Sequence, residues 1–100
     1  MTNGDERHAL EEIEMEAKSW LNEEMETLRR LRDELRVQLN LASKEARERF
    51  SAAEKRWTEL EARAHNVGRE SKVAAGEVGE ALRRLAHDVK QAYEHVREAL

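Results

Sequence analysis

Apolar residues recur along this chain in steps of three and four, and no proline interrupts them. One run reads Leu28, Leu31, Leu35, Leu39, Ala42, Ala46, Phe50, Ala53, Trp57, Leu60, Ala64 and Val67. A second reads Val78, Leu82, Leu85, Val89, Tyr93, Val96 and Leu100. A third precedes them: Leu10, Ile13, Ala17, Trp20/Leu21 and Met25. This spacing predicts amphipathic helices that each bury one stripe against other helices, so the fold class is all-α. Leu28, Leu39 and Phe50 stand eleven apart, as do Val78, Val89 and Leu100, which predicts nearly straight or slightly right-handed helices in those stretches. Ala53, Leu60, Val67 and Ala74 stand seven apart and read as a coiled-coil seam.

Local signals agree with the periodicity. Thr2, Asn3 and Asp5 suit a helix N-cap, so a helix is expected to begin near residue 5. Glu14–Lys18, Glu26–Arg30, Glu45–Arg49, Glu59–Arg63 and Glu80–Arg84 all place an acid four residues before a base, the favourable order on a helix surface. The favoured reversal lies in His65-Asn66-Val67-Gly68-Arg69-Glu70-Ser71, where Gly68 can end one helix and Ser71 cap the next. That gives one domain over residues 1–100: a helical hairpin of coiled-coil type, with a helix over about 5–66, a turn near 66–71 and a helix over about 71–99. Two alternatives stay open. One is a single long helix in an oligomeric coiled coil. The other is a three-helix bundle broken at Asn40-Leu41-Ala42-Ser43, against which stand the unbroken spacing and the absence of Gly or Pro there.

The hairpin implies a partner. A second helix of about 30 residues cannot cover a first of about 60, so the stripe from Leu10 to Leu35 would need a second copy. Residues 1–27 carry nine acids and two bases, whereas residues 28–50 carry seven bases and four acids. Charge therefore favours an antiparallel dimer over a parallel one. The expected helix-pairing residues are Ile13, Trp20, Leu28, Leu31, Leu35, Leu39, Phe50, Trp57, Leu60, Val67, Leu82, Leu85, Val89 and Val96. On this reading Leu35→Ala disrupts the oligomer before it disrupts the helix.

Composition narrows the function. Of 100 residues, 40% are charged and four are aromatic, which suits a thin seam between helices better than a thick core. The net charge of −4 weighs against a general nucleic-acid binder, and the basic stretch Arg29 to Arg49 is interleaved with acids. There is no cysteine, no apolar leader at the start, and no stretch of the roughly 20 apolar residues that span a bilayer, so a cytoplasmic setting is expected.

No catalytic constellation is visible, and no cofactor or metal is expected. The hydroxyl residues have no base at a telling position, and Gly76 and Gly79 lack the Lys-Ser/Thr pair of a phosphate loop. Glu61/His65 and His87/Gln91/His95 share helical faces, but no Glu-x-x-His occurs, and they read as solvated surface histidines. Trp20, Phe50 and Trp57 read as core. The functional expectation is a non-enzymatic, self-associating scaffold or adaptor, with a dimer favoured and an unidentified protein partner. The alternative is an amphipathic coat on a lipid surface or particle, for which Trp20-Leu21 and Trp57 would be the anchors.

The run Leu31-Arg32-Asp33-Glu34-Leu35-Arg36-Val37-Gln38-Leu39-Asn40-Leu41-Ala42, followed by Glu45-Ala46-Arg47 and Trp57, resembles a group of short, uncharacterised bacterial coiled-coil proteins. The likeness runs from about Trp20 to Leu100 and includes Val78-Gly79-Glu80-Ala81-Leu82. It implies a bacterial, cytosolic setting and carries no activity with it.

Overall fold

A computed structural model describes the backbone of residues 3–69 and 77–100, and the side chains of residues 19–67 and 79–100. Three helices follow one another: α1 (Asn3–Gln38), α2 (Lys44–Arg69) and α3 (Glu77–Glu98). No strand occurs among the described residues. The all-α class expected from the periodicity is the class observed.

The single helix expected over about 5–66 is not formed. It stops at Gln38, and a 3-10 turn (Leu39–Leu41) leads into α2. Neither Gly nor Pro makes this break. Ala42 turns extended, with φ −81° and ψ 155°, and its N–H closes the turn onto the Leu39 carbonyl at 3.1 Å. The Ser43 hydroxyl then accepts the Ala46 N–H at 3.1 Å, and the Ser43 carbonyl accepts the Arg47 N–H at 3.1 Å. Ser43 is thus the N-cap of α2 and meets donors that the interrupted ladder would leave unpaired. Breaking the ladder once lets the α1 stripe pack inside the same chain. The burial of several large apolar side chains, at about 1.5–3 kcal/mol each, outweighs a few lost helical hydrogen bonds.

The turn expected near 66–71 does not form at residues 66–69, and the expected helix start near 71 lies outside the described residues. The backbone is helical through Arg69, and the described part of α3 runs from Glu77. The connecting residues 70–76, including Ser71, lie outside the described residues.

The core lies along the axis where the helices meet. From α1 come Leu21, Met25, Leu28 and Leu35; from α2 Ala46, Phe50, Ala53, Trp57, Leu60 and Val67; from α3 Leu82, Ala86, Val89, Tyr93 and Val96. Trp20, Leu31, Leu39, Ala64, Leu85 and Ala92 flank it, half-buried. The described α1 stripe therefore has its partners within the chain, and the premise that it must find them in a second copy fails for residues 21–35. The expected pairing residues from Trp20 to Val96 all lie in this core or against it, while the side chain of Ile13 lies outside the described residues. Alanines at 46, 53 and 86 let α2 and α3 approach closely, and these two helices share the most extensive interface. The result is a slender bundle of 63 × 20 × 18 Å. No described helix is long and apolar enough to cross a membrane.

Candidate functional site

The polar groups with the most developed geometry sit between the helices. Arg32 on α1 grips Glu54 on α2 with two parallel hydrogen bonds, Nε to Oε1 at 2.7 Å and Nη2 to Oε2 at 2.8 Å. The Tyr93 hydroxyl of α3 donates to the same Glu54 Oε1 at 3.0 Å. Arg36, one turn past Arg32, stands 3.6 Å from Glu54 Oε2. Glu54 thus gathers donors from both other helices. A forked Arg–carboxylate pair is stronger and more directional than a single contact, so this cluster favours one rotation of α1 on α2 and α3.

Electrostatics follow from that arrangement. Burial alone pushes the Glu54 carboxyl up, but the hydrogen bonds from Arg32 and Tyr93 and the charges of Arg32 and Arg36 outweigh it, and its pKa is lowered. The bond to Glu54 raises Arg32 against the opposing effect of burial. Tyr93 is raised well above its usual 10.0, first by burial and then by donating to Glu54. The Tyr93 contribution to stability is fully present below about pH 10 and is lost as pH rises toward the folded-state pKa. Wild-type protein is therefore expected to lose stability above pH 10, and Tyr93→Phe to flatten that alkaline limb. Urea titrations at pH 9 and pH 11 check this. Glu54 acts in the opposite window: its contribution is present above its ordinary 4.5 and is lost as pH falls through the lowered value.

Aromatic side chains are enclosed by the same elements. Arg29 and Arg32 lie over the Trp57 ring, 5.8 and 5.7 Å from its centroid, and Arg83 lies 5.1 Å over Trp20. Phe50 and Tyr93 meet with ring centroids 6.0 Å apart. Trp57 is buried in the core and Trp20 is half-buried against it. Several arginines of the basic stretch are engaged within the chain. Arg29 and Arg32 stack on Trp57, and Arg36 neighbours Glu54. Arg49 binds Glu45 at 2.6 Å and the His95 carbonyl at 2.9 Å.

Grooves run between the helices of the bundle. The α2–α3 groove, about 730 Å3, is open to solvent and crossed by Arg49, with Ala52 and Ala92 among its lining residues. The α1–α2 groove, about 420 Å3, holds the Glu61/His65 pair beside Glu26 and Arg29. His95 stands 3.4 Å from both Arg49 and Glu98. Among the described residues, no three His, Cys, Asp or Glu converge as metal ligands. Glu45–Arg49 and Glu59–Arg63 close as the helix spacing predicts, the latter at 3.0 Å.

The Arg32–Glu54–Tyr93 cluster was not visible in the sequence. Tyr93 reads as a seam residue and Glu54 as one surface acid among many. Their meeting depends on the position of the turn. No protein-family model, curated protein or solved structure matches this chain.

Proposed function

We propose that the chain works by helix packing alone, as a non-enzymatic structural or adaptor module that self-associates and offers helical surface to a protein partner. One observation carries this reading. The groups best placed for chemistry, Arg32, Glu54 and Tyr93, are bound to one another and join α1, α2 and α3. The α2–α3 and α1–α2 grooves are shallow and open, with charge of mixed sign along their walls. A substrate site would call for an enclosed pocket with a few convergent polar groups. A bacterial, cytoplasmic setting belongs to the same proposal and rests on the resemblance of residues 20–100.

Self-association draws support from the turn between α1 and α2. Leu41 there is 99% exposed and Val37 75% exposed, an unusual presentation for large apolar side chains one helical turn apart. Sedimentation equilibrium from micromolar to millimolar concentration tests the proposal. A reversible, concentration-dependent dimer supports it. A monomer throughout that range contradicts the self-association.

A further inference from the structure

We infer that this chain pairs with a second copy by exchanging α1, with the turn at residues 39–43 opening into continuous helix. The inference rests on the self-association proposed above and names its mechanism. Four observations carry it.

First, the turn is made of residues that are all compatible with a helix. Leu39, Asn40, Leu41, Ala42 and Ser43 include neither Gly nor Pro, and no described residue has positive φ. Gln38 is already helical at φ −76° and ψ −16°. Ala42 leaves the helical region through ψ alone, since its φ of −81° is within reach of a helix. Rotation there, with Ser43 joining the ladder, fuses α1 and α2.

Second, the apolar stripe stays in phase through the turn. Leu28, Leu39 and Phe50 are eleven residues apart, and so are the buried Leu35 and Ala46. Eleven residues are just over three whole helical turns, so a fused helix carries one unbroken stripe on one side. A turn placed by a sequence that wanted only the turn would not need this phase.

Third, the contacts that hold α1 can be remade between copies without change. The Arg32–Glu54 fork, the Arg32 and Arg29 stacking on Trp57, the Arg83–Trp20 contact and the 3.9 Å Arg97–Glu34 pair all join α1 to α2 or α3. With α1 exchanged, α1 of each copy lies on α2 and α3 of the other. The two fused helices run antiparallel about a twofold axis near residue 43, midway between the paired positions 32 and 54. This closes as a dimer with no open surface left to propagate.

Fourth, what distinguishes the two forms is small and local. The turned form has the Ser43 cap, whereas the exchanged form gains the helical hydrogen bonds across residues 39–43. A short connection between helices is the usual site of such exchange.

The test uses the Arg32–Glu54 fork as a label for which copy supplies α1. Arg32→Glu and Glu54→Arg each place like charges together, in a monomer or in a dimer of identical chains. The two variants, unfolded and refolded together, heal both forks if α1 is exchanged. In one half the introduced glutamate meets the introduced arginine, and in the other the native Arg32 meets the native Glu54. The expected result is a one-to-one dimer, seen by light scattering and native mass spectrometry, that melts above either variant alone. Because the readout is a gain of structure, poor folding of the single variants does not obscure it. The double variant R32E/E54R is expected to melt above either single variant but below wild type, because the Arg32 stacking on Trp57 and the Tyr93 bond to Glu54 are not restored.

Two turn variants give an independent arm. Lys44→Pro suits the first residue of a capped helix but breaks a continuous one, so it is expected to be monomeric at every concentration. Ser43→Ala removes the cap from the turned form only and is expected to tighten the dimer by about tenfold or more. A refolded mixture that stays monomeric, or melts as the sum of its components, overturns the exchange. If wild type nevertheless dimerises, and Lys44→Pro dimerises equally well, self-association stands and only this mechanism falls. If wild type is monomeric while the mixture still forms the one-to-one dimer, the exchange geometry stands and the self-association of the native chain falls.

Discussion

Replacing Trp57 with alanine is expected to lower the melting temperature by more than about 12 °C, the largest effect of any single change in the described bundle. Trp57 is 2% exposed and occupies the middle of α2, where α1 and α3 converge. Truncating a buried tryptophan removes its transfer energy and leaves a void that neighbours only partly fill, at about 3–5 kcal/mol. The void here opens beneath Arg29 and Arg32, which also lose the ring face they lie on. Arg32 carries the fork to Glu54, so loosening it weakens the register of α1 as well. For a domain of this size, with a total stability of about 5–15 kcal/mol, such a loss is a large share. Trp57→Phe fills most of the space and is expected to lose less than half as much. A thermal melt followed by far-ultraviolet circular dichroism checks both variants, and a shift of only a few degrees for the alanine would contradict this burial.

The second large effect is expected at Leu35. This residue is 1% exposed on α1, and Leu35→Ala should destabilise the chain by about 2–5 kcal/mol in urea. Val37, two residues on, points to solvent at 75% exposure, and Val37→Ala should stay within about 0.5 kcal/mol of wild type. The contrast between the two tests which face of α1 is buried. It also replaces the expectation that Leu35→Ala dissociates an oligomer first. With its stripe packed on α2 and α3 of the chain, Leu35 supports the fold itself, so helix content and compactness are expected to fall together. Equal losses at both positions would mean that the rotation of α1 is wrong.

Much of the helix content was legible because the periodicity is strong. Leu28, Leu60, Val89 and Val96 were expected on buried stripes, and each is fully buried. The break at residues 39–43 falls where the sequence offered only the less favoured alternative, Asn40-Leu41-Ala42-Ser43, and the reason is physical. Many helix ends announce themselves through Gly or Pro, whereas this one is followed by Ser43 capping a helix whose stripe continues in phase on both sides. Gly68, the stronger local signal, sits inside α2, where a helix tolerates glycine at about 1 kcal/mol. Tertiary burial of Leu21, Met25, Leu28 and Leu35 decides between the two positions, and that quantity is absent from any local window.

The polar cluster was hidden for a related reason. Arg32 and Glu54 are separated by 22 residues, Glu54 and Tyr93 by 39, and only the fold at residues 39–43 brings the three together. Tyr93 carried the one available hint: it is the only residue of the α3 stripe with a hydroxyl, and a buried hydroxyl needs a partner. The acid that supplies it could not be chosen from sequence, because Glu54 looks like its neighbours until α1 is folded back.

The central claim, that α1 folds back onto α2 within one chain in dilute solution, is tested most directly by a single distance. Spin labels at positions 30 and 56, on a labelled chain diluted into unlabelled protein, report the separation of α1 from α2 by pulsed electron paramagnetic resonance. The fold described here places the two helices side by side, so the labels should lie within about 25 Å, allowing for helix packing at 8–10 Å and the reach of the label arms. One continuous helix across residues 39–43 would hold them about 39 Å apart, and that distance as the main population in dilute solution would contradict the account.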